Sequence, residues 1–416
     1  MLLLGIITAA LVAYISFRKP SYGLGMVACL LPAYGIRFAF GPLPSTVLEM
    51  VVAGFIVGGV ARAVRDRRWA WPPRPFLILG LAWIAVAGLS LFWTPDLRGG
   101  LGMWKAYFVE PVLVVLVAWG VIRDRKELTR AIWVGLGFAA VYVAAIGMAQ
   151  SFFDGFGVAP PYWNLVPRRI TSVFEQPNMV SLFLTPLIAA LGVPALRASR
   201  KTVRLAALVV FALGWYTLTL THSAGGLLGL VFGMAFVGSV YRKTRWWTIG
   251  LVMFGASVAF GFATIRTQVV PVVTLQDWSG NVRLIQWREA WDFIKDHPLR
   301  GAGLAGYQEA IAPYHKAGYI EIFPYPHNVF LNVWVELGVV GLVVFLALLG
   351  MVSWFLVRGR HHPAAIPLAA AWIALVVHGM VDIPYFKNDL SILFWFLVLF
   401  SLSLDKKKNP LMEASL

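Results

Sequence analysis

Cysteine is almost missing from this chain, and charge is scarce. Cys29 is the only thiol among 416 residues. A disulfide within the chain is therefore impossible, and cysteine-based metal sites are excluded. Charged residues make up 13% of the chain, against roughly a quarter in a soluble globular protein. Histidine is sparse as well, with seven residues, two of them the pair His361-His362. No H-E-x-x-H, no paired-aspartate motif and no G-x-S-x-G occurs, which leaves metalloprotease and hydrolase-elbow chemistry without their residues. Internal repeats of fixed period and low-complexity tracts are also lacking. So is a cleavable signal: residues 2–17 are apolar but have neither a basic region before them nor a small-residue cleavage site after them.

What is abundant is apolar surface. Hydrophobic residues make up 59%, and the mean hydropathy is +0.75. Spanning a bilayer takes roughly 20 predominantly apolar residues. Candidate spans are 2–17, 22–40, 45–63, 76–93, 102–122, 131–150, 174–195, 205–221, 223–240, 248–264, 328–357, 364–382 and 388–404. The expected fold is an all-α polytopic membrane protein of twelve or thirteen transmembrane helices. The formal charge of +16 would suggest nucleic acid on a soluble chain. Here the cations fall in short clusters between apolar runs, the positive-inside pattern, so no nucleic-acid partner is expected and membrane lipids are. Arg62-Arg65-Arg67-Arg68, Arg123-Arg125-Lys126, Arg197-Arg200-Lys201-Arg204, Arg242-Lys243-Arg245, Arg358-Arg360 and Lys406-Lys407-Lys408 read as cytoplasmic, which makes the C-terminus cytoplasmic. The same alternation places 151–173 and the much longer 265–326 on the far side. The chain thus divides into transmembrane helices with one outer loop (1–264), a large outer loop (265–326), and C-terminal transmembrane helices with a tail (327–416).

The long loop carries most of the chemistry. Asn281 to Asp296 predicts an amphipathic helix, with Leu284, Trp287, Trp291 and Ile294 as its apolar stripe. Ser279 or Asn281 is placed to cap it, and Pro298 with Gly301 and Gly303 to end it. Arg283 and Arg288 fall on opposite edges of that stripe, at headgroup level if the helix lies on the membrane; plain snorkelling of interfacial arginines is the bland reading. The glycines of 300–307 follow a helix rather than a strand, so they are no dinucleotide fingerprint. Phe323-Pro-Tyr325-Pro-His327-Asn328 then leads into a span, with Asn328 as its cap. Glu336, nine residues past His327, falls nearly on the opposite side of that helix and is not expected to be the histidine's direct partner. A histidine near neutral pH is a natural general base, and arginine forks grip phosphate. That pairing suits transfer from a lipid-linked pyrophosphate, whose leaving group needs charge stabilisation rather than a general acid.

Three segments in order resemble the O-antigen ligase/polymerase superfamily. His327-Asn-Val-Phe-Leu-Asn-Val-Trp-Val-Glu336-Leu-Gly338-Val-Val-Gly341 is similar to its H-N-x-x-L-x-x-x-x-E-x-G-x-x-G signature. Arg283-Leu-Ile-Gln-Trp287 followed by His297-Pro-Leu-Arg-Gly301-Ala-Gly303 looks like R-x-x-x-W … H-P-L-x-G-x-G, and Arg169-Ile-Thr-Ser-Val-Phe-Glu-Gln-Pro-Asn178 resembles R-x-x-x-x-F-x-x-P-N. The resemblance implies a metal-independent inverting glycosyltransferase of the bacterial inner membrane with no cofactor. Its donor would be an undecaprenyl-pyrophosphate-linked glycan, its acceptor a lipid A–core sugar, and its active site periplasmic. His327 would match the base and Arg283 the pyrophosphate-binding arginine, with Asn178, Tyr325, Asn328 and Glu336 in support.

One position departs from the pattern. Family members carry T-x-S-R at a short outward turn, where this chain reads Thr221-His222-Ser223-Ala224. Arg288, Arg266 or the pair Arg168-Arg169 are the candidates to supply the missing charge. A polymerase joining lipid-linked repeat units is the alternative within the superfamily. A transporter would use Glu110, Glu336, His378 or Asp382 within the membrane, but inverted repeats are not visible. A structural scaffold would leave the outward arginines without purpose.

Overall fold

In lipid a backbone has to satisfy its own N–H and C=O groups, so apolar runs become helices. The computed structural model describes residues 2–40, 43–153, 156–157, 162, 168–251, 253, 270–271 and 274–404. Within them the chain is mainly helical. The first half runs α1 (Leu2–Arg18), α2 (Pro20–Cys29), a hairpin of β1 (Arg37–Phe40) and β2 (Leu43–Thr46), α3 (Val47–Asp66), α4 (Arg74–Ser90), α5 (Leu97–Met103), α6 (Glu110–Val121) and α7 (Arg125–Phe152). It continues with α8 (Pro177–Arg197), α9 (Lys201–Leu220), α10 (Ala224–Val240), α11 (Trp278–Asp296), α12 (Tyr307–Ile311), α13 (Val329–Arg358), α14 (Ala365–Gly379) and α15 (Asn388–Leu402). Six helical stretches among the described residues are long and apolar enough to cross a membrane, and five shorter apolar helices accompany them. Leu81, Phe138 and Val343 are all more than half exposed in the middle of such helices, a surface suited to lipid rather than water.

Several expected boundaries are corrected. The run 22–40 is not one helix: α2 stops at Cys29, a 3₁₀ turn follows at Leu31–Gly35, and the hairpin then pairs Arg37 with Thr46 and Phe40 with Leu43. Pro32 and Gly35 interrupt the helix, and the fold is therefore not purely α. The segment 102–122 starts earlier, at Leu97, where Asp96 accepts from Gly99 N, and passes through a wide turn at Trp104–Val109. The run 364–382 ends at Gly379, which frees 380–387 as a loop. The expected span 248–264 lies almost wholly outside the described residues, as does Lys406-Lys407-Lys408.

The loop helix is corrected too. α11 begins at Trp278, and Asp277 is its cap, accepting from Gly280 N at 3.2 Å. Its buried face is Val282, Gln286, Glu289, Ala290, Phe293 and Ile294, while Trp291 is exposed. The stripe is rotated because this helix packs on protein: Ala290, Phe293 and Ile294 join Tyr307, Ile311 and Val335 in a small core of their own. Glu289 tolerates that burial because its Oε1 meets His315 Nδ1 at 3.0 Å.

α13 is broken at Gly338, which has φ +68° and ψ −175°, a conformation essentially reserved to glycine. The segment after α11 docks into the break. Ala302 N donates to Val335 O at 2.6 Å, Gly303 N to Glu336 O at 3.0 Å, and Val339 N to Pro298 O at 3.1 Å. A Cβ on residue 338 would overlap the Leu299 carbonyl. Gly338→Ala is therefore expected to cost about 1–3 kcal/mol from the backbone alone, with the clash in addition. A near-normal melting temperature for the detergent-solubilised variant would contradict this.

α15 is the central post: all of its residues, from Asn388 to Leu402, are buried. α14 packs between α8 and α10 on one side of the bundle, and α1 packs along α3 on the other. Basic clusters gather at one end, where Arg62 Nη1 donates to Arg18 O at 3.0 Å and pairs with Asp66. α3, α6, α8 and α13 run toward that end, and their starts lie at the other end, together with the hairpin and the long loop.

Candidate active site

His327 sits at this second end, held by its neighbours on both sides. Pro326 lacks an N–H, but its carbonyl accepts from Trp287 Nε1 of α11 at 2.9 Å. Asn328 caps α13, its Oδ1 accepting from Phe330 N at 3.0 Å and Leu331 N at 3.1 Å. Its Nδ2 donates to Met380 O at 3.0 Å. Between these anchors His327 adopts φ +49°, a left-handed conformation that costs a non-glycine residue roughly 1–2 kcal/mol. Phe323 and Tyr325 pack edge-on against its ring, with centroids 5.5 and 4.9 Å away.

The freed loop 380–387 supplies the partner. Asp382 Oδ1 lies 3.3 Å from His327 Nδ1 and also accepts from Ile383 N at 2.9 Å. Burial pushes the Asp382 carboxyl up. The His327 hydrogen bond, and the charges of His327, His378 and Arg283, outweigh that and hold it at about 2. An ionised carboxylate only accepts, so Nδ1 of a neutral His327 carries the proton and Nε2 keeps its lone pair. Asp382 was read as the end of a span, a candidate only for a transporter. Pro384, two residues on, is the one local signal that the helix stops before it.

One guanidinium group, Arg283, lies beside the pair, and a second, Arg169, lies within electrostatic reach of Arg283. Arg283 Nε donates to Val381 O at 2.8 Å, next to Asp382, and its Nη1 to Ser279 Oγ at 2.7 Å. Arg169 Nε donates to Thr221 O at 2.8 Å and its Nη2 to Asn178 Oδ1 at 2.9 Å. Both are tied to carbonyl and hydroxyl groups rather than to carboxylates, so their charge is not cancelled by these contacts. Burial, then the nearby Arg283 charge, pulls the Arg169 pKa down despite Tyr162. The two arginines therefore share one neighbourhood. Burial and then Arg169 likewise lower His222. Arg169 thus stands on the very turn where Ala224 replaces the expected arginine.

The other expected residues are placed differently. Arg288 is exposed on α11, away from its buried face, and Arg168 is half-buried. Arg266 lies outside the described residues. Glu336 is buried below the docked segment, where Ala305 N–H donates to its carboxylate and Gly303 N to its carbonyl; Asp382, not Glu336, faces His327.

A mainly helical body with six helices able to cross a membrane among its described residues, and with a His–Asp pair and arginines at one end, is that of a multi-pass membrane protein. Residues 208–346 match the model of a family described as O-antigen ligase. The chain is also 24% identical over 332 residues to an O-antigen ligase of Pseudomonas aeruginosa, an alignment covering 78% of this chain and 75% of that protein. These matches bear out the resemblance to the O-antigen ligase superfamily. The family match includes Arg283 and His327 but stops short of Asp382 and begins after Arg169.

Proposed function

We propose that this protein is a membrane glycosyltransferase of the O-antigen ligase type, moving a glycan from undecaprenyl pyrophosphate to a sugar hydroxyl of lipid A–core. The observation that carries the reading is the His327–Asp382 pair lying beside Arg283. In the proposed step, His327 Nε2 takes the proton of the acceptor hydroxyl. The acceptor oxygen attacks the anomeric carbon, and the bond from that carbon to the pyrophosphate oxygen breaks. The electron pair leaves with undecaprenyl pyrophosphate, where Arg283 and Arg169 stabilise the growing charge. A single displacement inverts the anomeric carbon. Asp382 stabilises the imidazolium, as a buried carboxylate does behind other catalytic histidines.

No step needs a metal or cofactor. The basic clusters at the opposite end support an inner-membrane protein with that end cytoplasmic and the His327 end periplasmic. In this reading 151–173 and 265–326 are periplasmic loops set between the helices of 1–264 and 327–416. Asn178 positions Arg169, Asn328 positions His327, and Tyr325 walls the site.

Reconstitution with a lipid-pyrophosphate-linked glycan and lipid A–core, in the presence of EDTA, tests this directly. Glycan is expected on the core sugar at an undiminished rate. A product that lengthens on the carrier instead would make the protein a polymerase, and activity that needs added divalent metal would overturn the metal-free step.

A further inference from the structure

A second cavity of about 590 Å³ opens at the same end, within the roughly 300–1,000 Å³ usual for small-molecule sites. It lies between the hairpin, the starts of α3, α5, α8 and α15, and the end of the 380–387 loop. We propose that it is a sugar-binding subsite, taking one sugar unit of a glycan substrate beside the reacting bond; this rests on the glycosyltransferase reading above.

Three of the cations lining it are already matched. Arg37 pairs with Glu175 at 2.9 Å, Lys105 with Glu49 at 2.8 Å, and Lys387 with Asp389 at 3.6 Å. That is a poor place for a pyrophosphate, which needs uncompensated cations such as those near His327. A sugar hydroxyl is donor and acceptor at once, and alternating carboxylates, cations and amides serve both roles. Among the described residues, two polar atoms in this wall lack a hydrogen-bond partner: Asn388 Oδ1, on a side chain 5% exposed, and Lys387 Nζ. Tyr107 adds aromatic surface for the apolar face of a sugar ring, while the Tyr34 ring is covered by Lys387 at 4.2 Å and stacks on Phe174.

The cavity is lined by segments that also carry the reacting site. One loop carries both Asp382 and Lys387, and one segment carries both Arg169 and Glu175. Tyr325 packs on His327, and burial, then Asp382, raise its phenol, with smaller contributions from Tyr107 and Glu175 of the cavity wall. The unit held here belongs either to the acceptor core or to the donor glycan, and the test separates the two.

Gly102 supplies the test. It lines the cavity, and a Cβ built there meets nothing within 4 Å. Gly102→Trp starts from a Cβ position in open space at the cavity wall, where an indole should take up cavity volume, and the helix gains from losing a glycine. Full-length wild type, Gly102→Trp and Gly102→Ala in nanodiscs are compared in two assays. One is saturation-transfer NMR with delipidated core oligosaccharide and, separately, delipidated donor glycan. The other is transfer kinetics with each substrate varied. Gly102→Trp is expected to lose binding of one glycan and to raise KM for that substrate about tenfold or more, with melting unchanged and Gly102→Ala like wild type. Whichever substrate responds is the occupant. Unchanged binding and KM for both glycans overturns the proposal, as does a wild type that binds neither. If wild type binds a glycan but transfers none, the glycosyltransferase reading fails while the NMR arm still decides the subsite. Should Gly102→Trp insert poorly, Arg37→Ala on the exposed rim is expected to raise the same KM, and an unchanged value there counts against the subsite.

Discussion

His327→Ala should lower kcat by about 10²–10⁴-fold, the range a general base contributes, while insertion and melting stay as in wild type. The residue's backbone anchors belong to Pro326 and Asn328, so truncating the ring removes chemistry more than structure. Removing the left-handed imidazole also leaves Asp382 without a side-chain partner, but its Oδ1 keeps the Ile383 N–H. Asp382→Asn discriminates the mechanism further. An amide no longer stabilises the imidazolium and can present an N–H where an acceptor is needed, so kcat is expected to fall by up to about 10⁴-fold with little change in KM. Steady-state kinetics on reconstituted enzyme checks both. Turnover within a factor of a few of wild type in His327→Ala would remove His327 as the base.

The second large effect is expected at Arg283. Lysine keeps the charge but not the planar fork, and it cannot hold Val381 O and Ser279 Oγ while also reaching a phosphate oxygen. Arg283→Lys should cost about 10²–10³-fold in kcat, the scale of losing one preorganised donor to a developing anion. The competing view makes Arg283 an interfacial anchor, for which lysine is a good replacement. Near-normal turnover in Arg283→Lys would favour that view. Arg288→Lys, on the exposed face, is the internal comparison and is expected to be close to wild type.

Local patterns carried the helices and the histidine's setting. Hydropathy located α3, α9 and α10 to within about four residues at each end, and the Pro-Tyr-Pro-His-Asn run gave both the helix start and the cap that Asn328 forms. Contacts between distant segments were not legible in this way. Asp382 reaches His327 across 55 residues and Arg169 reaches Thr221 across 52, and no periodicity encodes such pairings. The apolar stripe of α11 was misread for a related reason. Leu284, Trp287 and Trp291 gave the helical period, but what that face meets depends on tertiary packing, and the helix buries Gln286 and turns Glu289 inward against His315. Pro32 and Pro384 were visible all along. Each breaks a run that hydropathy alone extends, and the second of them frees the loop that completes the site.

The break at Gly338 also sets a height. Below it, residues 339–358 number twenty and rise about 30 Å at 1.5 Å each, which equals the hydrocarbon thickness of a bilayer. The nine residues of α13 from Val329 to Leu337 are thus surplus to crossing. They form a pedestal about 14 Å tall, braced from the side by the docked glycine segment. On the glycosyltransferase reading proposed above, that offset holds the imidazole clear of the acyl chains, at the level of a lipid's sugars rather than its tails.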